Sequence, residues 1–135
     1  MDLRKPDLSS VEIKAVVAEM QKAVGGKLDQ VYQLDKQEFF LQVHIPGAGK
    51  ILLRILSGKF MYATQHKLSM QEPGGLCMQL RKMLGGRAIN SVEQVGSQRI
   101  IKIEFDENTL YIELFSKGNI ILCDNTEKMI GVLLQ

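Results

Sequence analysis

Apolar residues recur along this chain with two different periods. Ile13, Val16, Val17, Met20, Ala23 and Val24 fall at spacings that place them on one face of a helix. Ser9-Ser10-Val11-Glu12 stands immediately before them and has the S-x-x-E form of a capping box, which sets the helix start. Gly25-Gly26 stops the helix by supplying the left-handed position that helix C-termini favour. The period then drops to two. Leu28–Leu34 and Glu38–Ile45 read as strands around the turn Asp35-Lys36-Gln37, with Phe39, Leu41, Val43 and Ile45 on one face and Gln42 and His44 on the other. Pro46–Lys50 is a turn, Ile51–Leu56 returns with Arg54 interrupting its second face, and Phe60–Ala63 is a shorter fourth strand. Thr64–Pro73 has the composition of a loop.

The plan then repeats. Leu76, Leu80, Met83 and Leu84 form a second helical stripe, closed by Gly85-Gly86. Ile89–Val95, Arg99–Phe105, Leu110–Phe115 and Asn119–Cys123 read as strands, with turns at Gly96–Gln98, Asp106–Thr109 and Ser116–Gly118, and Met129–Leu134 is a last apolar run. The echo extends to the residues themselves. QKAVGGKLDQVYQL (21–34) matches RKMLGGRAINSVEQV (81–95), and Phe40, Leu41, Val43 and Ile45 align with Ile100, Ile101, Ile103 and Phe105 at a constant offset of 60. Residues 51–62 align with 110–122 with one residue of slippage. A helix–strand–strand–strand–strand unit is therefore duplicated, over halves at about 9–63 and 74–134 of a single domain spanning 1–135. Two copies are too few for a solenoid. Hairpin connections throughout imply antiparallel pairing. The expected fold is α+β and β-rich: a two-sheet antiparallel sandwich, one sheet per repeat or shared, with two helices at its ends or edges and a pseudo-twofold relation.

Composition narrows the classes. A chain of 135 residues buries a sizeable core without disulfides or metal, and two cysteines do not make a secreted disulfide framework. A net charge of +2 gives no field of its own, so any anion-binding surface must be a local patch. The N-terminus MDLRKPDLSS lacks the apolar stretch of a signal peptide, and no apolar run is long enough to span a bilayer. A cytoplasmic domain without a membrane partner is expected. The bare final strand suggests a domain that continues in nature, or an excised one.

Candidate chemistry is sparse. Pro46-Gly47-Ala48-Gly49-Lys50 lacks the four-residue spacing, the Ser or Thr and the following helix of a phosphate loop, and reads as a hairpin turn. His44, His66, Cys77 and Cys123 share no metal-ligand spacing. They read as solvated histidines and buried thiols, and no metal or cofactor is expected. No nucleophile stands beside an acid–base partner, and no small-molecule site is evident, so an enzyme is not expected. Gln98-Arg99 occupies a predicted hairpin tip beside Gly96 and Ser97. Its arginine is either a solvated surface residue or a guanidinium fork shaped for phosphate or a base edge. Glu12 has the plain role of closing the capping box.

LRKMLGG (80–86), VEQVGSQR (92–99) and YIELFSKGNIILCDNTEKMIG (111–131) resemble the N-terminal domain of the NFACT family. That family includes the eukaryotic nuclear export mediator factor and ribosome-quality-control proteins of bacteria and archaea, some labelled fibronectin-binding proteins. Its pattern of L-R-K, a helix-ending Gly, a Q-x-x-x-D-R element and E-L-F-x-x-G-N-I-I-L-x-D recurs here in order, and SSVEIKAVVAEMQKAVGG is similar to the family's opening. The likeness covers residues 9–131, with G-N-I-I-L-x-D its most specific part. It implies contact with tRNA on a large ribosomal subunit bearing a stalled nascent chain. In several members alanyl- or threonyl-tRNA is recruited to extend that chain without a template. In the family the Asp-Arg pair contacts the anticodon arm. Arg99 stands at the Arg, Gln98 at the Asp, and Glu12 at an acidic position near the first helix, which makes these three the candidate tRNA-binding residues. Gln98 keeps an acceptor but loses the negative charge, so tRNA contact is expected with weakened selection among tRNAs.

The resemblance also reaches the N-terminal domain of formamidopyrimidine-DNA glycosylases, which use an N-terminal Pro amine as nucleophile. Met1-Asp2-Leu3 departs from that pattern and Pro6 is internal, so a glycosylase would need another nucleophile. DNA binding without catalysis, or a protein-interaction or adhesive role, stands as the alternative to an RNA-binding module.

Overall fold

In a computed structural model, which describes residues 8–66 and 71–134, the first helix starts where its cap demands. α1 (Ser10–Met20) is preceded by Ser9, whose Oγ accepts from the Glu12 N–H at 3.2 Å. The Glu12 carboxylate in turn accepts from the Ser9 N–H at 3.0 Å, so the box satisfies two donors that a helix start leaves without partners. A 3-10 turn (Gln21–Ala23) follows, and Gly25 reverses the chain with φ +86°. The apolar face ends one residue earlier than its spacing suggests: Val24 is already extended and is 37% exposed. Gly26 is required for a different reason from Gly25. A Cβ there would lie 2.6 Å from Val43 Cγ1 and 2.9 Å from His44 O, so only a bare backbone passes this close to the second strand.

β1 (Lys27–Asp35), β2 (Glu38–Ile45), β3 (Gly49–Leu56) and β4 (Phe60–Thr64) form one antiparallel sheet in that order. After α2 (Gly75–Leu84), the second sheet runs β5 (Ser91–Gln94), β6 (Ile100–Glu104), β7 (Asn108–Glu113), β8 (Asn119–Asp124) and β9 (Met129–Val132). The expected α+β sandwich is the fold, with one sheet from each repeat and β9 added to the second. Period-two alternation sets the faces. Leu41, Val43, Leu53 and Ile55 share one core with Ile101, Ile103, Leu110 and Ile112, all at most 1% exposed. Burial stabilises by roughly 1.5–3 kcal/mol for each such side chain. On the outward face of the first sheet, Arg54 donates to Glu38 Oε2 at 2.6 Å and to the Tyr62 hydroxyl at 3.0 Å, and lies over the Phe60 ring.

β5 is shorter than the predicted Ile89–Val95 because Ile89 has another partner. Its N–H donates to Gly26 O and its carbonyl accepts from the Gly25 N–H, both at 2.8 Å. The two Gly-Gly arms thus pair with each other, through the antiparallel bridge Lys27–Ala88. Other strand ends lie within two residues of those expected. Residues 67–70 of the predicted loop lie outside the described residues. Beyond them the chain returns to β1, where Gln33 O accepts from the Gln71 N–H at 2.9 Å and Gln33 Oε1 from the Gly74 N–H at 2.6 Å.

A sandwich has sheet edges whose N–H and C=O groups need partners. This chain covers them reciprocally. α1 lies against β4 and β5, and α2 against β1 and β9, so each helix spans from an edge of one sheet to an edge of the other. Gln21 Nε2 at the end of α1 donates to Val92 O on β5 at 2.7 Å. Arg81 Nε at the end of α2 donates to Val31 O on β1 at 2.8 Å. These two side chains are repeat mates, doing the same work from opposite halves.

At the far end of the strands the two halves touch again. Gly58 N–H donates to Glu113 O at 2.9 Å, and a Cβ on Gly118 would fall 1.9 Å from Gly58 N. Asn119 ties down the last residues: Nδ2 donates to Leu134 O and Oδ1 accepts from the Leu134 N–H, both at 2.9 Å. Asp124 Oδ1 orders the β8–β9 turn by accepting from the Thr126 N–H, the Thr126 hydroxyl and the Lys128 N–H at 2.7–3.0 Å. The G-N-I-I-L-x-D run is therefore a structural signature.

Gly118→Ala is expected to lose more than about 3 kcal/mol of unfolding free energy or fail to fold. Gly86→Ala, whose φ of +79° stands in open space, should lose only about 1–2 kcal/mol. Chemical denaturation checks the contrast, and equal losses would contradict the close approach. The Thr126 hydroxyl, then the Lys128 and Thr126 N–H groups, hold the Asp124 carboxyl below its ordinary 3.8. A carboxyl depressed on folding adds stability that is present above its unfolded pKa and lost as pH falls through the folded one. Asp124→Asn should therefore flatten the fall in melting temperature between about pH 5 and pH 2.5, and parallel curves for parent and variant would refute this.

Candidate nucleic-acid interface

β5 ends at Gln94, and the chain turns through residues 95–99 into β6. Gln98 N–H donates to Val95 O and Val95 N–H to Ile100 O, both at 3.0 Å, while Gly96 takes φ +57°. Arg99 O accepts from the Leu114 N–H at 2.8 Å, which ties the base of the turn to the end of β7. The tip leans on the start of α1. Ser10 Oγ donates to Ser97 O at 2.6 Å. Gln94 Nε2 lies 3.2 Å from both Ser10 O and Ser10 Oγ, and 2.8 Å from Gln98 O. Gln94 is in register with the fully buried Ile101, so its amide reaches helix and turn from the inner side of the strand.

An open groove of about 550 Å³ runs between α1 and β5. Val11, Lys14 and Val17 line its helix side, and Glu93, Gln94, Gly96 and Ser97 its strand side. Gln21, bonded to Val17 O and Val92 O, stands at its far end. Val11 is 79% exposed there, the most open large apolar side chain among the described residues.

The elements that carry the three candidate residues are thus held against each other. Glu12 lies in the first turn of α1, where its carboxylate completes the capping box. Gln98 is exposed at the tip and Arg99 is half-buried at its base. Sequence reasoning missed Ser10 and Gln94, which join helix to tip, and Lys14 in the groove. Gln94 carried a signal: a polar residue at an inward strand position.

The other candidates are scattered. His44 ends β2, His66 follows β4, Cys77 is in α2 and Cys123 in β8. Among the described residues, no group of three or more His, Cys, Asp or Glu side chains could hold a metal ion. Burial pushes both thiols above their ordinary 9.0, which keeps them protonated near neutrality. Residues 46–48 form the β2–β3 turn, with Ala48 N–H donating to Ile45 O at 3.0 Å, and Gly49-Lys50 of the predicted turn already belong to β3. No helix among the described residues is long and apolar enough to cross a membrane.

Fold and site together define a class: a duplicated two-sheet domain that presents an Arg-bearing hairpin tip against a helix N-terminus. The chain belongs to the NFACT family, its residues 9–135 matching the NFACT N-terminal and middle domains. It is 31% identical over 139 residues to the archaeal Rqc2 homolog aRqcH of Methanocaldococcus jannaschii, covering 96% of this chain and 21% of that protein. It is 32% identical over 126 residues to the ribosome quality control complex subunit NEMF homolog of Drosophila melanogaster, covering 89% and 13%. The chain therefore spans about a fifth or less of the length of these curated relatives. Among solved structures it is similar to the N-terminal domain of fibronectin-binding protein PavA from Streptococcus pneumoniae, with a TM-score of 0.85 and 26% identity over 94% of this chain and 56% of that one.

Removing the clamp should free the tip without unfolding the domain. Gln94→Ala is expected to cost about 1 kcal/mol globally, and to speed amide exchange at Ser97 and Gln98 by roughly tenfold. Unchanged exchange at the tip would show that Gln94 does not hold it.

Proposed function

We propose that this chain is a non-catalytic RNA-binding module of ribosome-associated quality control. It contacts tRNA on a large ribosomal subunit bearing a stalled nascent chain, in the cytoplasm. In longer proteins of the family such a module would support template-free extension of that chain. One observation carries the proposal. The Ser10–Ser97 and Gln94–Gln98 bonds fix the tip with Gln98 and Arg99 against the helix turn that carries Glu12. A hairpin tip whose backbone is already held suits recognition of a folded RNA, because little loop freedom is lost on binding. Arg99 supplies a planar fork for phosphate or a base edge, and Lys14 a mobile cation in the adjoining groove.

Titration of deacylated tRNA across salt concentrations tests this. The parent should bind with an affinity that falls steeply as salt rises. Arg99→Ala should weaken binding roughly tenfold at low salt and reduce the salt slope by about one. No binding at any salt would remove tRNA as the partner of this module. With several tRNAs compared side by side, Gln98→Asp should widen the spread of affinities by restoring a carboxylate that accepts from base amino groups. An equal spread for variant and parent would show that position 98 does not select.

A further inference from the structure

The duplication also repeats four cations that the hairpin tip does not use. Lys22 and Lys82 follow Gln21 and Arg81, while Lys27 and Arg87 follow the two Gly-Gly pairs, so each pair is separated by the repeat distance of 60. The fold brings Lys27 and Arg87 together at one pole, and Lys22 and Lys82 stand at the helix ends that lead into it. Leu28 N–H donates to Arg87 O at 2.9 Å, Gly86 N–H donates to Leu28 O at 2.7 Å, and Lys27 bridges to Ala88. All four cationic residues are exposed. Lys27 also heads a cross-strand row, Lys27–His44–Lys50, at the same end of the first sheet.

Among the described residues Asp29 lies 3.4 Å from Lys50 Nζ, and Glu19 pairs with Lys22. Lys27, Lys82 and Arg87 make no ion pair among the described residues. The negative ends of two helix dipoles account for Lys22 and Lys82. They do not account for Lys27, Lys50 and Arg87, which stand on strands and on the connecting arm. Apart from the partly exposed Val24 the patch has no apolar centre. That composition suits phosphate better than a protein interface, whose core is depleted of charge.

We infer that this pole is a second RNA-binding surface, which takes the phosphodiester backbone of the same RNA that reaches the hairpin tip. The inference rests on the RNA-binding function proposed above. α1 joins the two sites: its 11 residues span about 16 Å at ~1.5 Å each. Lys14 lies between them in the groove. The outward face of the second sheet is unsuited to phosphate, because Glu93, Glu104 and Glu127 surround Lys102 there.

Fluorescence-anisotropy titration of deacylated tRNA across salt concentrations separates the outcomes. Lys27→Glu/Arg87→Glu should bind at least about tenfold more weakly at low salt, with a salt slope reduced by about 1.4–1.8, the value for two lost phosphate contacts. Lys117→Glu/Lys128→Glu changes the net charge equally at exposed sites elsewhere and should lose less than about threefold. Lys27→Gln/Arg87→Gln should show the same reduced slope, and reports it even if charge reversal perturbs folding. An unchanged slope in the pole variants, or an equal loss in the Lys117/Lys128 control, overturns the second surface while leaving the tip's role standing. Absence of binding by the parent overturns both.

Discussion

Backbone pairing between the two Gly-Gly arms is the interaction on which the rest of this structure depends. Gly25 and Gly26 exchange hydrogen bonds with Ile89, and Leu28 exchanges them with Gly86 and Arg87. These bonds join the inner ends of the two repeats across the pseudo-twofold relation. Each helix thereby spans from an edge of its own repeat's sheet to an edge of the other. Gln21 on Val92 and Arg81 on Val31 complete the exchange with matching bonds. At the other end of the strands, Gly58 and Gly118 allow the turns to meet backbone to backbone. Two weakly twofold units thus become one body whose edges are covered from within, which also guards against edge-to-edge aggregation.

The candidate interface is a by-product of that exchange. α1 reaches β5 because it must cover that strand's edge, and its first turn consequently arrives beside the β5–β6 tip. Ser10 and Gln94 turn this proximity into fixed geometry. The most specific sequence run contributes nothing to the interface directly. Gly118, Asn119 and Asp124 serve a close approach, the path of the C-terminal residues and a turn. Motif strength here measures constraint on backbone rather than closeness to a partner. At the β8–β9 turn Tyr111 donates to Glu127 at 2.6 Å, a bond that pushes the phenol up to about 12 and keeps it a donor at neutral pH.

Features governed by local chemistry were legible in the sequence. The capping box at Ser9 and Glu12, the alternation along β2 and the stop at Gly25 each depend on residues within a few positions. The duplication was legible as well, but not whether each repeat forms its own sheet or the two share their strands. Features that depend on residues distant in the sequence were not. Nothing local distinguishes Gly26, needed for clearance from Val43, from Gly25, needed for its φ. Ile89 continues an apolar alternation, yet it pairs with the glycine arm instead of β6. Val24 continues a helical stripe that the 3-10 turn has already ended. Gln94 was visible as a polar residue in a strand, but its partners Ser10 and Gln98 come from two elements that only the tertiary fold brings together. The repeated cations were equally visible as letters, and only the arm pairing brings Lys27 and Arg87 together at one pole.

The central claim is that RNA lies along one side of this domain, over α1, its neighbouring groove and the β5–β6 tip. Mapping backbone amide shifts by NMR while deacylated tRNA is added tests it most directly. The account predicts changes concentrated in residues 9–14 and 94–99, extending toward 22–27 and 82–88, with Lys102, Tyr111 and Ile121 on the outward face of the second sheet silent. Shifts centred on that outward face, or none at tRNA concentrations that saturate binding, would contradict it.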